Sequence, residues 1–132
     1  MAEYEVKDGF YYTEGDTWTC KMPDGKIRVG ITDYAQKKLK EIEYLNLDGE
    51  GDPLSQGESL GEIESKKSVS EMMSPLTGTI QCMNEDAVDN PGLLNKDPYG
   101  QGWVLEAECA DYDKQVEALM DAAAYREYIA KR

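Results

Sequence analysis

The chain has 132 residues, 14 of them basic and 27 acidic, for a net charge of −13 and no histidine at all. That length suits one domain spanning 1–132 rather than two, and a hydrophobic fraction of 40% is enough for a packed core. The acidity disfavours nucleic acid and anionic lipid and favours basic protein surfaces, while the missing imidazoles remove the commonest general base and metal ligand.

Phe10-Tyr-Tyr-Thr13 and Trp18-Thr-Cys20 are rich in aromatic and β-branched residues and read as strands. Pro23-Asp-Gly25 signals a turn, and Lys26 to Ile31 alternates with the period of a half-buried strand. Thr32 or Asp33 can cap a short helix with Tyr34, Leu39 and Ile42 as its inward stripe and Lys37, Lys38 and Lys40 on its face. Glu43 to Leu47 alternates again, and Asp48 to Pro53 is a loop. Leu54 to Gly57 and Ser59 to Glu64 lead into a polar turn, which Val69 to Met73 leaves before Pro75, Gly78 and the strand Thr79 to Cys82. Glu85 to Leu94 reads as a helix interrupted by Pro91, and Trp103 to Ala107 as the last strand. The tail from Asp113 to Arg132 is helical, with Asp113 and Asp121 as candidate caps and Val116, Leu119, Met120 and Ala123 on one side; Asp121 can divide it in two. Many short strands, a few small helices and no βαβ rhythm predict a mainly β, sandwich-like domain.

No apolar run approaches a membrane span, and Met1 to Glu5 lacks a basic flank and an apolar signal core, so the chain is read as soluble and cytoplasmic. Cys20, Cys82 and Cys109 lie far apart, and an odd count without a signal segment reads as reduced thiols. Free cysteines are usually small buried hydrophobes, and with no histidine to activate one a thiol enzyme is disfavoured.

The polar turn carries the chemistry. Glu64-Ser-Lys-Lys67-Ser-Val-Ser-Glu-Met-Met-Ser-Pro75-Leu-Thr-Gly78 resembles the lipoyl-lysine segment of glycine cleavage system H proteins, of the form E-S-x-K-x-x-S-[DE]-x-x-x-P-x-x-G. Tyr12-Thr-x-x-x-x-Trp18 is similar to the family opening Y-T-x-x-H-E-W, and Val29 to Gln36 to V-G-I-T-E-H-A-Q. Asn95 to Trp103 resembles N-x-D-P-Y-G-x-G-W, and Leu119 to Tyr125 the C-terminal helices, so the likeness runs through the whole chain. A lysine pair in an edge turn ordinarily serves solubility; several blocks matched in register favour an attachment site instead.

The resemblance implies a barrel-sandwich hybrid of two antiparallel sheets with short helices and a helical C-terminus, working as a monomeric, non-catalytic carrier. It implies covalent lipoate on Lys67, with Lys66 falling where the family often has an apolar residue. Lys67 is flanked by Glu64, Ser65, Ser68 and Glu71, and the two acids are expected to help a lipoate-attaching enzyme recognise the site. Biotin is disfavoured because the Met-Lys-Met pattern of biotinyl lysines is missing.

The family pattern also places a His and a Glu before the Trp, and a second His in the T-E-H-A-Q block, lining the cleft of the loaded arm. Here those places hold Asp16, Thr17 and Tyr34. Losing the acid at Thr17 and the imidazole at Tyr34 removes groups that would hold a protonated amine, and Asp16 restores one negative charge. Tyr34 reads equally well as a core aromatic on a short helix. A cleft altered in this way resembles the H-protein-like lipoate-binding proteins of bacterial sulfur oxidation. Their arm would carry sulfur-bound intermediates among a heterodisulfide-reductase-like complex and dihydrolipoamide dehydrogenase. The alternatives are an H protein of the glycine cleavage system carrying the aminomethyl group, and a lipoylated regulatory H-like protein.

Overall fold

The computed structural model describes residues 4–132. Residues 1–3, the beginning of the segment read as lacking a signal core, lie outside the described residues. Among those described, no helix is long and apolar enough to cross a membrane.

The chain opens with β1 (Tyr11–Tyr12), β2 (Thr17–Lys21) and β3 (Ile27–Ile31), joined pairwise as antiparallel hairpins. The turn between β2 and β3 closes through Gly25, whose φ of +90 a side chain would resist and whose N–H reaches the Met22 carbonyl. Helix α1 (Asp33–Leu39) starts at Thr32, whose Oγ1 accepts the Ala35 N–H at 3.1 Å. It ends at Lys40, where φ is +67. That left-handed residue turns the chain into β4 (Ile42–Leu47), so Ile42 begins a strand instead of completing the expected helical stripe.

Next come β5 (Pro53–Leu54), β6 (Ser59–Ser65), β7 (Val69–Met73) and β8 (Gly78–Met83). Pro53 belongs to a strand rather than to the loop before it. This is tolerated because β5 lies at the sheet edge, where a missing N–H costs no ladder bond. The expected interrupted helix is two short ones, α2 (Glu85–Asp89) and α3 (Leu93–Lys96), parted at Asn90-Pro91-Gly92. The last strand β9 (Leu105–Glu108) begins two residues after Trp103. In the tail, α4 (Tyr112–Gln115) contains Asp113 in its first turn instead of being capped by it. Asp121 does cap α5 (Ala122–Ala130), accepting the Ala124 N–H at 2.9 Å. Leu119 and Met120 lie in the extended link between them, where Met120 pairs with Tyr12, and Ala123 is exposed; α5 buries Ala122, Tyr125 and Ile129.

The described strands form two antiparallel sheets, one in the order β1-β2-β3-β9-β8-β5 and one in the order β4-β6-β7. An aliphatic core built on Val29, Leu60, Ile63, Met72, Leu76 and Ile80 draws residues from both. A second, aromatic core gathers Tyr12, Trp18, Tyr34, Tyr99 and Tyr125 around β1, β2, α1 and α5. In it Tyr12 and Tyr125 stack at 4.5 Å with their planes 7° apart, and Trp18 Nε1 donates to the Pro98 carbonyl at 3.0 Å. Gly30 faces Trp18 across the ladder, where a Cβ would press into the indole.

Candidate functional site

The lysine turn is the tip of the β6–β7 hairpin. Ile63 and Met72 are buried at its root, while Lys66 and Lys67 stand exposed. Ser65 organises the turn. Its N–H reaches the Ser68 carbonyl at 2.9 Å, and its Oγ accepts the Ser68 N–H at 3.3 Å and the Lys67 N–H at 3.4 Å. No residue of the turn has a positive φ, so ordinary side chains fit without strain.

The two lysines differ in what holds them. Lys66 Nζ pairs with Glu41 Oε2 at 3.1 Å, just ahead of β4. The hydrogen bond to Glu41, then the charges of Glu41 and Glu43, raise the Lys66 pKa and keep the amine protonated. Lys67 has no ion-pair partner among the described residues. An exposed primary amine without an ion pair, on an unstrained two-residue tip, fits the attachment of an acyl group, whereas Lys66 shares an exposed ion pair with Glu41.

The flanking acids lie on the outer face of the small sheet. Glu64 accepts from Asn46 Nδ2 at 2.6 Å, and Glu71 stands directly opposite Glu62. A bulge in β6 lets β4 come close at Gly61 (φ +146), where a Cβ would collide with the Asn46 carbonyl.

The three residues expected to line an arm cleft divide into two groups. Asp16 (φ +65) accepts from Arg132 Nη1 at 2.7 Å and from the Tyr125 hydroxyl at 3.0 Å, so its charge is already paired. Tyr34 is buried beneath the same guanidinium, 4.7 Å from its ring, with Lys38 Nζ at 5.3 Å and Tyr4 edge-on at 4.8 Å. Thr17 is buried elsewhere. Its Oγ1 donates to the Met73 carbonyl at 2.8 Å and shares a hydrogen bond with Thr13 Oγ1 at 2.7 Å. A hydroxyl can donate to that carbonyl and a carboxylate cannot. Thr17 thereby ties β2 to the end of β7 remote from the lysines, about 13 Å along the strand at 3.3 Å per residue.

Close to that junction runs an open groove of about 480 Å³, lined by Tyr12, Thr13, Glu14, Met73, Ser74 and Met120 among others. Asp16, Thr17 and Tyr34 are not in its lining. Glu14 brings an exposed carboxylate to it. Sequence reasoning missed Glu14, Glu41 and Arg132. Glu14 could have been found as the other acid between Tyr12 and Trp18, but nothing local marks Glu41 or Arg132.

The thiols show no activation. Burial pushes Cys20 up to about 11. Burial and then a hydrogen bond from its Sγ to Glu106 Oε1 at 3.4 Å raise Cys82, and burial raises Cys109. Among the described residues no group of three His, Cys, Asp or Glu side chains is placed to hold a metal ion.

Residues 10–132 match the family described as Glycine cleavage H-protein. The chain is 43% identical to a probable glycine cleavage system H protein of Thermococcus gammatolerans, over 98% of this chain and 96% of the relative. It is 42% identical to a glycine cleavage system H protein of Mycolicibacterium gilvum, over 96% and 98% respectively. The crystal structure of a glycine cleavage system H protein from Mycobacterium marinum superposes with a TM-score of 0.81 at 34% identity, covering 96% of this chain and 98% of that one.

Proposed function

The chain belongs to the glycine cleavage H-protein family, and from that premise we propose that it is the lipoyl carrier of a glycine cleavage system, modified on Lys67. Proteins of this family are carriers, not catalysts, and bear lipoate covalently on a lysine. When bound, lipoate supplies a dithiolane whose disulfide opens and closes by thiolate exchange.

The observation that carries the choice of lysine is the contrast at the hairpin tip: Lys66 pairs with Glu41, and Lys67 has no ion-pair partner among the described residues. Ser65 fixes the backbone that presents Lys67. Glu14 supports an amine cargo, because its exposed carboxylate gives the groove beside Met73 a negative charge. The carrier's partners are then the lipoate-attaching enzyme and the enzymes of glycine cleavage, and residues 1–132 act as one carrier domain.

The sulfur-carrying role expected from Asp16, Thr17 and Tyr34 is the second reading. One observation favours it: the Asp16 carboxylate is spent on Arg132 and Tyr125, and the Thr17 hydroxyl on Met73. Family and relatives weigh towards glycine cleavage. Incubating the lipoylated protein with the glycine-decarboxylating and aminomethyl-transferring components decides between them. Methylamine loading retained by the wild type and weakened in Glu14→Gln is the expected result. No loading, together with turnover by a heterodisulfide-reductase-like complex, overturns it. Peptide mass mapping that finds the lipoyl group elsewhere than Lys67 overturns the site assignment.

A further inference from the structure

The large apolar side chains most exposed among the described residues are Tyr44 (64%), Val69 (56%) and Val88 (39%). Two of the three belong to one row of the small sheet. Tyr44 on β4 stands opposite Glu64 on β6, and Glu64 stands opposite Val69 on β7. Partners in an antiparallel ladder share a face, so this row presents tyrosine, carboxylate and valine side by side to solvent. Val69 is the second residue after Lys67, so the row borders the lysine turn.

The next row is acidic. Asn46 faces Glu62, and Glu62 faces Glu71. Like charges directly opposite each other on a sheet destabilise it, and here a third carboxylate, Glu64, lies on the same strand two residues along. Asn46 anchors Glu64, but no lysine or arginine salt bridge is formed by Glu62, Glu64 or Glu71 among the described residues. The face therefore keeps a repulsion that a cationic partner would relieve, around two apolar side chains that folding leaves in water.

Resting on the assignment of Lys67 above, we propose that the outer face of the β4-β6-β7 sheet is the docking surface for the enzyme that acylates Lys67. Tyr44 and Val69 are its apolar anchors, and the partner offers a basic rim around an apolar floor. Charge selects this occupant over a second copy of the chain, whose own glutamate rows would oppose these. Tyrosine is the kind of residue that anchors interfaces, being large, rigid and amphipathic. In the docked state Lys67 Nζ, having passed a proton to a base of the enzyme, attacks the carbonyl carbon of an acyl-adenylate. The amide C–N bond forms as the C–O bond to phosphate breaks, and AMP leaves with the electron pair.

The test uses the unmodified full chain, lipoate, ATP and a purified ATP-dependent lipoate-attaching enzyme, with initial rates read by intact mass. Tyr44→Ser and Val69→Ser should each raise KM by about fivefold or more at a kcat within about twofold, as loss of a docking contact requires. Val88→Ser, on α2 away from this row, serves as control and should match the wild type. Glu62→Gln with Glu71→Gln should slow the reaction most at low salt and should not destabilise the fold. Wild-type KM in the Tyr44→Ser/Val69→Ser double variant, with an unchanged thermal melt, overturns the proposal. A wild-type dimer that Tyr44→Ser dissolves without altering acylation overturns it too. Peptide mapping separates the premise from the inference: acylation on Lys66 sinks the lysine assignment, while the KM comparison still judges the face. Absence of any acylation overturns both.

Discussion

The lysine turn and the aromatic cluster around Asp16 are built on opposite plans. The turn is held almost wholly by neighbours in sequence: Ser65 bonds Ser68 and Lys67, and only Glu41 reaches in from another element. The cluster is held by side chains remote in sequence. Arg132 meets Asp16 across 116 positions, Tyr125 meets Asp16 across 109, and Thr32 meets Tyr125 across 93. On the proposed reading the tip enters a partner's active site, and it then gains from depending on few contacts, since little else shifts when it is handled. A buried polar cluster gains from many partners, because each unsatisfied group in it would be costly.

That contrast can be broken from either side. Lys67→Ala should abolish modification and all carrier activity while leaving the thermal midpoint unchanged, read by intact mass and by melting. A drop in stability would mean the turn is part of the packed structure. Tyr125→Ala should do the reverse. It removes a fully buried ring stacked on Tyr12 and strips partners from Thr32 and Asp16, costing about 3–5 kcal/mol in denaturant unfolding. Any folded fraction should still be acylated.

Asp33 sharpens the comparison through pH. Burial alone would raise its pKa, but the Glu5 N–H at 2.9 Å, the Gln36 amide at 2.7 Å and Lys37 together outweigh burial and hold the carboxyl below its ordinary range. Since the folded value is the lower one, the stabilisation is fully present above the unfolded value of about 3.9. It is lost as pH falls from there through the folded value. Asp33→Asn should therefore be less stable than the wild type at neutral pH and should lose less stability on acidification, as denaturant midpoints across that range would register. The smallest effect is expected from Glu41→Gln. Both partners of the Lys66 pair are well exposed, so breaking it should leave stability unchanged and let only a minor fraction of acylation appear on Lys66, quantified by peptide mass.

The same contrast explains what could be read in the sequence. The turn, its two flanking glutamates and the capping role of Asp121 depend on spacing and residue type within a few positions, and the chain spells them out. Glu43 to Leu47 was legible as an alternating segment, but the place of Tyr44 beside Glu64 and Val69 depends on strand register. Ile42 was misplaced because the helix stops at a left-handed lysine, Lys40, where glycine or asparagine would have given the usual signal. The split between Asp16 with Tyr34 and Thr17 was invisible. Residues 16 and 17 are adjacent, but Asp16 faces the C-terminal residues and Thr17 the end of β7. The C-terminal arginine that neutralises Asp16 has no counterpart in any local motif.

The place of β9 bears on how the molecule is made. Residues 105–108 lie between β3 and β8, so the large sheet stays in two pieces until those residues have left the ribosome. The small sheet is complete in sequence by Met73, yet Leu60, Ile63 and Met72 on its inner face have only part of their cover until then. During those seconds of synthesis the hairpin can pair but its inner face stays wet. Attachment to Lys67 is accordingly expected only on a chain whose β9 has already joined the large sheet.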